Sequence, residues 1–370
     1  MFQTAIVKII VPAIYIFSWL ISAPYQDATV IDSSTTIHKY DNPELFSSDE
    51  ILNITLSGNV RSVLNDRGDN PQYHSLSFSY AEKDGNEISM PVNIKTRGHF
   101  RKSKENCNYP PLMLDFSKSN LPTTSLFYTQ KKIELVMPCN DDDYVIREWL
   151  VYKLYNLITP KSFKARLVKV TMDDASKKKI APFYGILLED EKQMAQRNKV
   201  MIVEKQSLKP QNTETDAFLT MAFFEYMIGN TDWSVQYQQN IKLLAVNANA
   251  IPTTVPYDFD HSGMVNAPYA HPAEELEMRS VLERRYRGYC INDMKLFDEV
   301  IVKFNKLKSS FYSVYTNCSL LDAKYIKTVT RYLDEFYETI NDAKKFKKEF
   351  SYPCDPNGTG NIIIKGLKED

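Results

Sequence analysis

The chain has 370 residues, of which 45 are Lys or Arg and 46 are Asp or Glu, for a formal net charge of −1. That balance excludes a global field drawing in nucleic acid or an anionic membrane surface. A hydrophobic content of 43% with 11 glycines indicates a compact fold with a sizeable core, and five cysteines are too few for a disulfide scaffold.

At the start, Lys8 precedes an apolar run from Ile9 to Ala23, interrupted by Pro12, Ser18 and Ser22, which gives way to polar Gln26 and Asp27. This is the pattern of a secretory signal over 1–24. The run is shorter than the roughly 20 residues that span a bilayer comfortably. Ala23 before Pro24 makes a poor cleavage site, so an uncleaved N-terminal anchor stays open as the alternative and would be the membrane contact. The chain is therefore expected to be exported: periplasmic, at the cell surface or secreted. An oxidising compartment permits one or two bridges, with Cys107 and Cys139 the expected pair, and one of Cys290, Cys318 and Cys354 is left unpaired whatever the connectivity.

Residues 25–48 are rich in Ser, Thr and Asp and read as an exposed leader. Alternation then predicts strands near 51–57, 74–80, 88–96, 111–116 and 131–137. A helix follows over 144–158, with Asp141 to Asp143 as acidic N-terminal capping residues. Strands fit 165–172 and 181–188. Helices fit 214–228, 293–308 and 321–347, separated by a loop-rich section over 229–290. The tail, 351–370, reads as surface. This gives an α+β fold of two lobes, a mainly β N-terminal lobe over 49–190 and a mainly helical C-terminal lobe over 191–350.

The chemistry gathers in the loop-rich section. Gly229-Asn230-Thr231-Asp232-Trp233-Ser234 follows an apolar helix, and Asn240, eight residues after Asp232, opens the strand from Ile241 to Ala245. A second strand leads into Pro256-Tyr257-Asp258-Phe259-Asp260-His261-Ser262-Gly263. On an extended strand Asp258 and Asp260 share one face, and two carboxylates so placed repel unless a cation lies between them or one is protonated. Mg2+, bound through one or two carboxylates plus substrate phosphates, is the natural guest. Judged singly, Asp232 and Asn240 fit turn or capping roles, and Glu148 and Glu189 fit surface salt bridges. His261 fits a structural role, and Arg279, Arg284, Arg285 and Arg287 fit a solvated helix face or an anion site.

The order and spacing of these pieces resemble the catalytic loop and metal motif of protein-kinase-like folds, in particular the CotH-like (spore coat protein H) atypical secreted kinases and uncharacterised exported bacterial proteins resembling them. Arg97-Gly98 is similar to the family's Arg-Gly element. Arg147-Glu148 begins a helix placed like the regulatory helix, and Tyr184 to Glu189 resembles the strand end at the lobe junction. The likeness covers roughly residues 90–290 and implies a two-lobed atypical protein-kinase-like fold. It implies ATP with Mg2+ (or Mn2+) as cofactor and a hydroxyl of an exported protein or glycan as acceptor. Asp232 would orient and deprotonate that hydroxyl, while Asn240 and Asp258 would hold the metal and Asp260 would complete or support the site. A cation among Lys95, Arg97 and Arg101 would contact phosphate, with Glu148 as its ion-pair partner and Glu189 at the junction. Three features depart from the pattern: no Gly-rich loop is present, the separation of Asp232 from Asn240 exceeds that of ordinary kinases, and Glu134 stands where the family favours a base. The alternatives are a catalytically inactive kinase-like module acting as an extracytoplasmic binding protein, and a metal-dependent hydrolase using Asp258, Asp260 and His261.

Overall fold

A computed structural model of the chain describes residues 45–363, apart from 83–84, 118, 120, 177–179 and 206. The expected signal or anchor over 1–24 and most of the leader lie outside the described residues, as does the end of the tail. The described residues belong to one compact unit, Asn42–Asp370. No described helix is long and apolar enough to cross a membrane.

The N-terminal half is built from β1 (Leu52–Gly58), β2 (His74–Ala81), β3 (Glu87–Thr96), β4 (Leu112–Asp115), β5 (Lys132–Val136), β6 (Ala165–Asp174) and β7 (Phe183–Leu188). Their order is β1-β2-β3-β4-β5-β7-β6, and β1 closes on β6 in parallel register, Leu52 opposite Val168, so the sheet is a barrel. Alternation decides which side chains go inside. Ile54 and Leu56 of β1, Phe78 of β2, Ile94 of β3, Leu114 of β4 and Leu135 of β5 are at most 1% exposed. Phe78 meets Phe116 and Phe127 edge-on at 5.2 and 4.8 Å, capping that interior. The short helix α1 (Val60–Asn65) follows β1.

Between β5 and β6 runs α2 (Asp142–Ile158), N-capped by Asp141, whose carboxylate accepts from the Asp143 N–H. It buries Val145, Glu148, Trp149, Tyr152 and Leu154 and belongs to the core of the helical half. That half continues with α3 (Glu191–Arg197) and β8 (Met201–Ile202). Next come α4 (Thr215–Ile228) and the hairpin β9 (Ile241–Ala245) and β10 (Thr253–Pro256), and then α5 (Asp298–Thr316), α6 (Ala323–Asn341) and α7 (Ala343–Phe350). A sheet-rich half followed by a helical one is a mixed α+β architecture.

The helix expected over 321–347 is two helices. Asp342 leaves helical geometry (φ −106°, ψ 115°) and its carboxylate takes the Lys344 and Lys345 N–H groups, a local bond that competes with continuation of the ladder. The expected Cys107–Cys139 bridge is formed, Cys290 pairs with Cys354, and Cys318 is free.

Helix α4 stops at Gly229, which adopts a left-handed conformation (φ 71°) and leads straight into the loop carrying Asp232. A Cβ there would stand 2.1 Å from the Tyr332 hydroxyl and 3.1 Å from the Val281 carbonyl oxygen. Gly229→Ala is therefore expected to lower unfolding free energy by about 2 kcal/mol in denaturant titration, from backbone strain and overpacking together.

Candidate functional site

The loop from Gly229 to Asn240 folds back on the segment after β10. Gly263 N–H donates to Gly229 O (3.1 Å), Met264 N–H to Ile228 O (3.0 Å), and Tyr257 N–H to Asn240 O (3.0 Å). These bonds bring Asp232, Asn240, Asp258 and Asp260 into one cluster. Asn240 Nδ2 donates both to Asp232 O (2.8 Å) and to its carboxylate (3.0 Å). With the nitrogen so committed, the amide oxygen is the atom left to face a cation.

The strand geometry expected for 258–260 is absent. β10 ends at Pro256, and Asp258 has φ 61°, as Asn240 has φ 51°. Left-handed backbone costs about 1 kcal/mol or more at a residue other than Gly and persists where the surroundings fix it. Here the Asp258 N–H donates to the Tyr152 hydroxyl of α2 (2.9 Å). Phe259 is fully buried against Tyr152 and Phe224, so the two acids flank an anchored ring.

A third element enters from the barrel. Between β3 and β4 a single 3-10 turn, Phe100–Lys102, sends Arg101 inward. Its guanidinium donates to Met137 O and lies 3.5 Å from the Asp260 carboxylate and 3.8 Å from that of Glu148. Burial alone would weaken its charge; Tyr269, Asp260, Glu148 and Asp258 more than reverse that. Asp260 also accepts from the Tyr269 hydroxyl (3.0 Å). Among the described residues, the Asp258 carboxylate has neither a hydrogen bond nor an ion pair. Burial, reinforced by Asp260, pushes its pKa up to about 7. Burial raises Asp232 too, against the pull of His261, and burial with Asp260 holds Glu148 well above its ordinary value.

Other sequence candidates pair with residues outside this cluster. The Lys95 ammonium lies over the Tyr73 ring, 5.0 Å from its centre, and Arg97 pairs with Glu134. Glu189 pairs with Arg197 at 2.8 Å and accepts from the Lys164 N–H. It lines a cavity of about 750 Å³ with Lys131, Lys132 and Lys164 that contains none of the cluster residues. The arginines after Arg279 are not a solvated face. Arg284 donates to the Met227 and Tyr332 carbonyls, Arg285 to Leu276 O, Tyr352 and Thr359, and Arg287 to Thr231 O and Trp233 O. Arg287 thus splints the loop of Asp232, and burial lowers its pKa to about 10. Tyr152, Tyr269 and Arg287 were not foreseen in these roles; for the tyrosines the available signal was an aromatic at helical spacing or in a polar loop, which reads as packing.

The donor set fits a hard divalent cation. An unpartnered carboxylate, an amide oxygen, and an excess of acids (Asp232, Asp258, Asp260, Glu148) over Arg101 and Arg287 leave negative charge uncompensated. Among the described residues, the one group of three acids with ligand atoms within 4.8 Å of one another is elsewhere, Asp141, Asp142 and Asp143. There Asp141 caps α2 and Asp142 accepts from the Tyr184 N–H at 2.9 Å.

No protein-family model matches the chain, and no curated protein matches it. Among solved structures it is similar to the Helicobacter pylori proinflammatory kinase CtkA, at 12% identity, over 67% of this chain and 93% of that one, with a TM-score of 0.37.

Because the folded pKa of Asp258 lies above that of an unfolded aspartate, the native state binds the extra proton, and stability falls as pH rises from about 4 towards 7. Asp258→Asn, free of this penalty, is expected to gain stability over wild type across that window in chelator-containing buffer. Paired thermal melts at several pH values measure it, and a difference independent of pH would contradict the assignment.

Proposed function

We propose that the chain is an exported kinase-like phosphotransferase that uses ATP with Mg2+ or Mn2+ to phosphorylate a hydroxyl of an exported protein or a glycan. The observation that carries this reading is the Asp258 carboxylate, unpartnered among the described residues, in a cluster where the Asn240 amide is bonded to Asp232. The order of Asp232, Asn240 and Asp258 along the chain is the order the kinase resemblance requires. The two disulfides accord with an oxidising compartment.

Asp258 and the Asn240 oxygen would hold the metal, which supplies charge neutralisation at the nucleotide phosphates. Asp232, fixed by Asn240 and by the Arg287 splint, accepts the proton of the attacking hydroxyl. The hydroxyl oxygen bonds to the γ-phosphorus as the bond from that phosphorus to the β–γ bridging oxygen breaks, and ADP leaves. Asp260 and Glu148 hold Arg101, which limits the negative charge facing the phosphates. Such chemistry needs chiefly positioning and charge compensation.

A second reading, a catalytically inactive kinase-like module serving as an exported interaction protein, is favoured by one observation. Lys95, near the end of β3, and Arg97, just past it, are held by Tyr73 and Glu134.

ATP with Mg2+ or Mn2+ is expected to raise the melting temperature of wild type, as any ligand of the folded state does. Asp258→Ala should abolish the shift. Asp232→Asn should keep it while losing phosphate transfer by about 100-fold or more, the usual weight of general-base catalysis. A shift without transfer in wild type would favour the inactive module, and no shift in a folded wild type would sink the phosphotransferase reading and leave the interaction module.

A further inference from the structure

Arg101 does not sit on a regular element. It projects from a 3-10 turn inside the connection between β3 and β4, where no strand ladder holds the backbone. Apart from its bond to the Met137 carbonyl, its two acid partners lie at 3.5 and 3.8 Å, beyond short hydrogen bonds, and its Nε–H is buried without an acceptor. Whether the guanidinium stays inside therefore depends on what keeps its loop beside the Met137 carbonyl, to which it donates.

We infer that the Cys107–Cys139 disulfide is the positioning device of the cluster, a covalent clamp that delivers Arg101 to Glu148 and Asp260. Cys107 closes the Arg101 loop: its N–H donates to Ser103 O (3.1 Å), and Asn106 Nδ2 donates to Phe100 O (2.8 Å). Cys139 lies two residues after Met137, whose carbonyl receives Arg101, and two before Asp141, the N-cap of the helix carrying Glu148. A single bond therefore ties the cation's loop to the origin of its partner's helix. The Asn108 N–H donates to Cys139 O (2.8 Å) across the same seam, and both cysteines are at most 4% exposed. A second, non-covalent anchor is Arg67, whose guanidinium donates to Cys107 O and Asn108 O.

Without the clamp the loop is free to carry Arg101 towards water, leaving Glu148 and Asp260 buried without their cation. Closure removes two protons and two electrons from the thiols and passes them to a disulfide-exchanging oxidant. On the reading of export above, the site is then completed only outside the cytoplasm. The clamp itself is independent of the phosphotransferase reading.

The test uses the full chain with 15N-labelled arginine, the Arg101 Nε–H signal being assigned by its loss in Arg101→Lys. In wild type that proton is expected to exchange with water about ten-fold more slowly than those of surface arginines. In Cys107→Ala/Cys139→Ala the protection should disappear while circular dichroism and a cooperative melt persist, and Mn2+–ATP affinity should fall about ten-fold. Protection retained in the folded double variant overturns the inference. Should that variant not fold, Arg67→Met decides, since it loosens the loop with the disulfide closed: protection must remain, and its loss overturns the clamp. If wild type binds no Mn2+–ATP, the exchange comparison still judges the clamp, and only the phosphotransferase reading falls.

Discussion

Burying one guanidinium among carboxylates is the constraint from which the rest of the site follows. Arg101 comes from the barrel, Glu148 from the crossover helix and Asp260 from the segment after the last hairpin, so three separate elements must meet at one charge. Each of these groups would be costly to bury alone and is tolerable in the others' company. Their mutual engagement, with Tyr269 on Asp260, singles out Asp258 as the carboxylate left over. An acid is thus left uncompensated beside a committed amide and a second acid.

The site also carries backbone strain. Asn240 and Asp258 both adopt left-handed conformations, which Asn and Asp tolerate better than most residues, and both are pinned by bonds from outside their own turns. The helical half supplies the stiffness. Arg284 ties α4 to α6 through the Met227 and Tyr332 carbonyls, Arg285 and Arg287 spend their donors on the loops and tail, and Gly229 and Gly263 allow the Asp232 loop and the Asp258 turn to lie against Tyr332 and Val281. Another buried acid, Glu225, is held well above its ordinary pKa chiefly by burial, which suits a neutral carboxyl under the Asp232 loop.

Much of the fold was legible in the sequence because its signals are local. The strands from Leu52 to Leu188 alternate, and the caps of α2 and α4 are written as Asp141 and Gly229. Closure of the barrel was not legible: the pairing of β1 with β6 joins residues more than a hundred positions apart, and alternation says which face is buried, not which strand is the neighbour. At the site, the clustering of Asp232, Asn240, Asp258 and Asp260 could be anticipated from order and spacing. The choice of Arg101 over Lys95 and Arg97 could not, because it depends on a loop turning inward, which periodicity does not record. Asp258 and Asp260 were expected to share a strand face; Pro256 ends the strand and the turn that follows separates their roles. The arginines misled because a run of cations in a loop-rich segment looks solvated until its carbonyl partners are known.

The most direct test of this account is a crystal of the protein grown with Mn2+ and a non-hydrolysable ATP analogue, with the metal located by its anomalous scattering. The account predicts an anomalous peak contacting the Asp258 carboxylate and the Asn240 amide oxygen, with Arg101 still between Glu148 and Asp260. A crystal whose manganese sits elsewhere, at Asp141 to Asp143 for example, with the Asp258 cluster empty of metal and nucleotide, would contradict it.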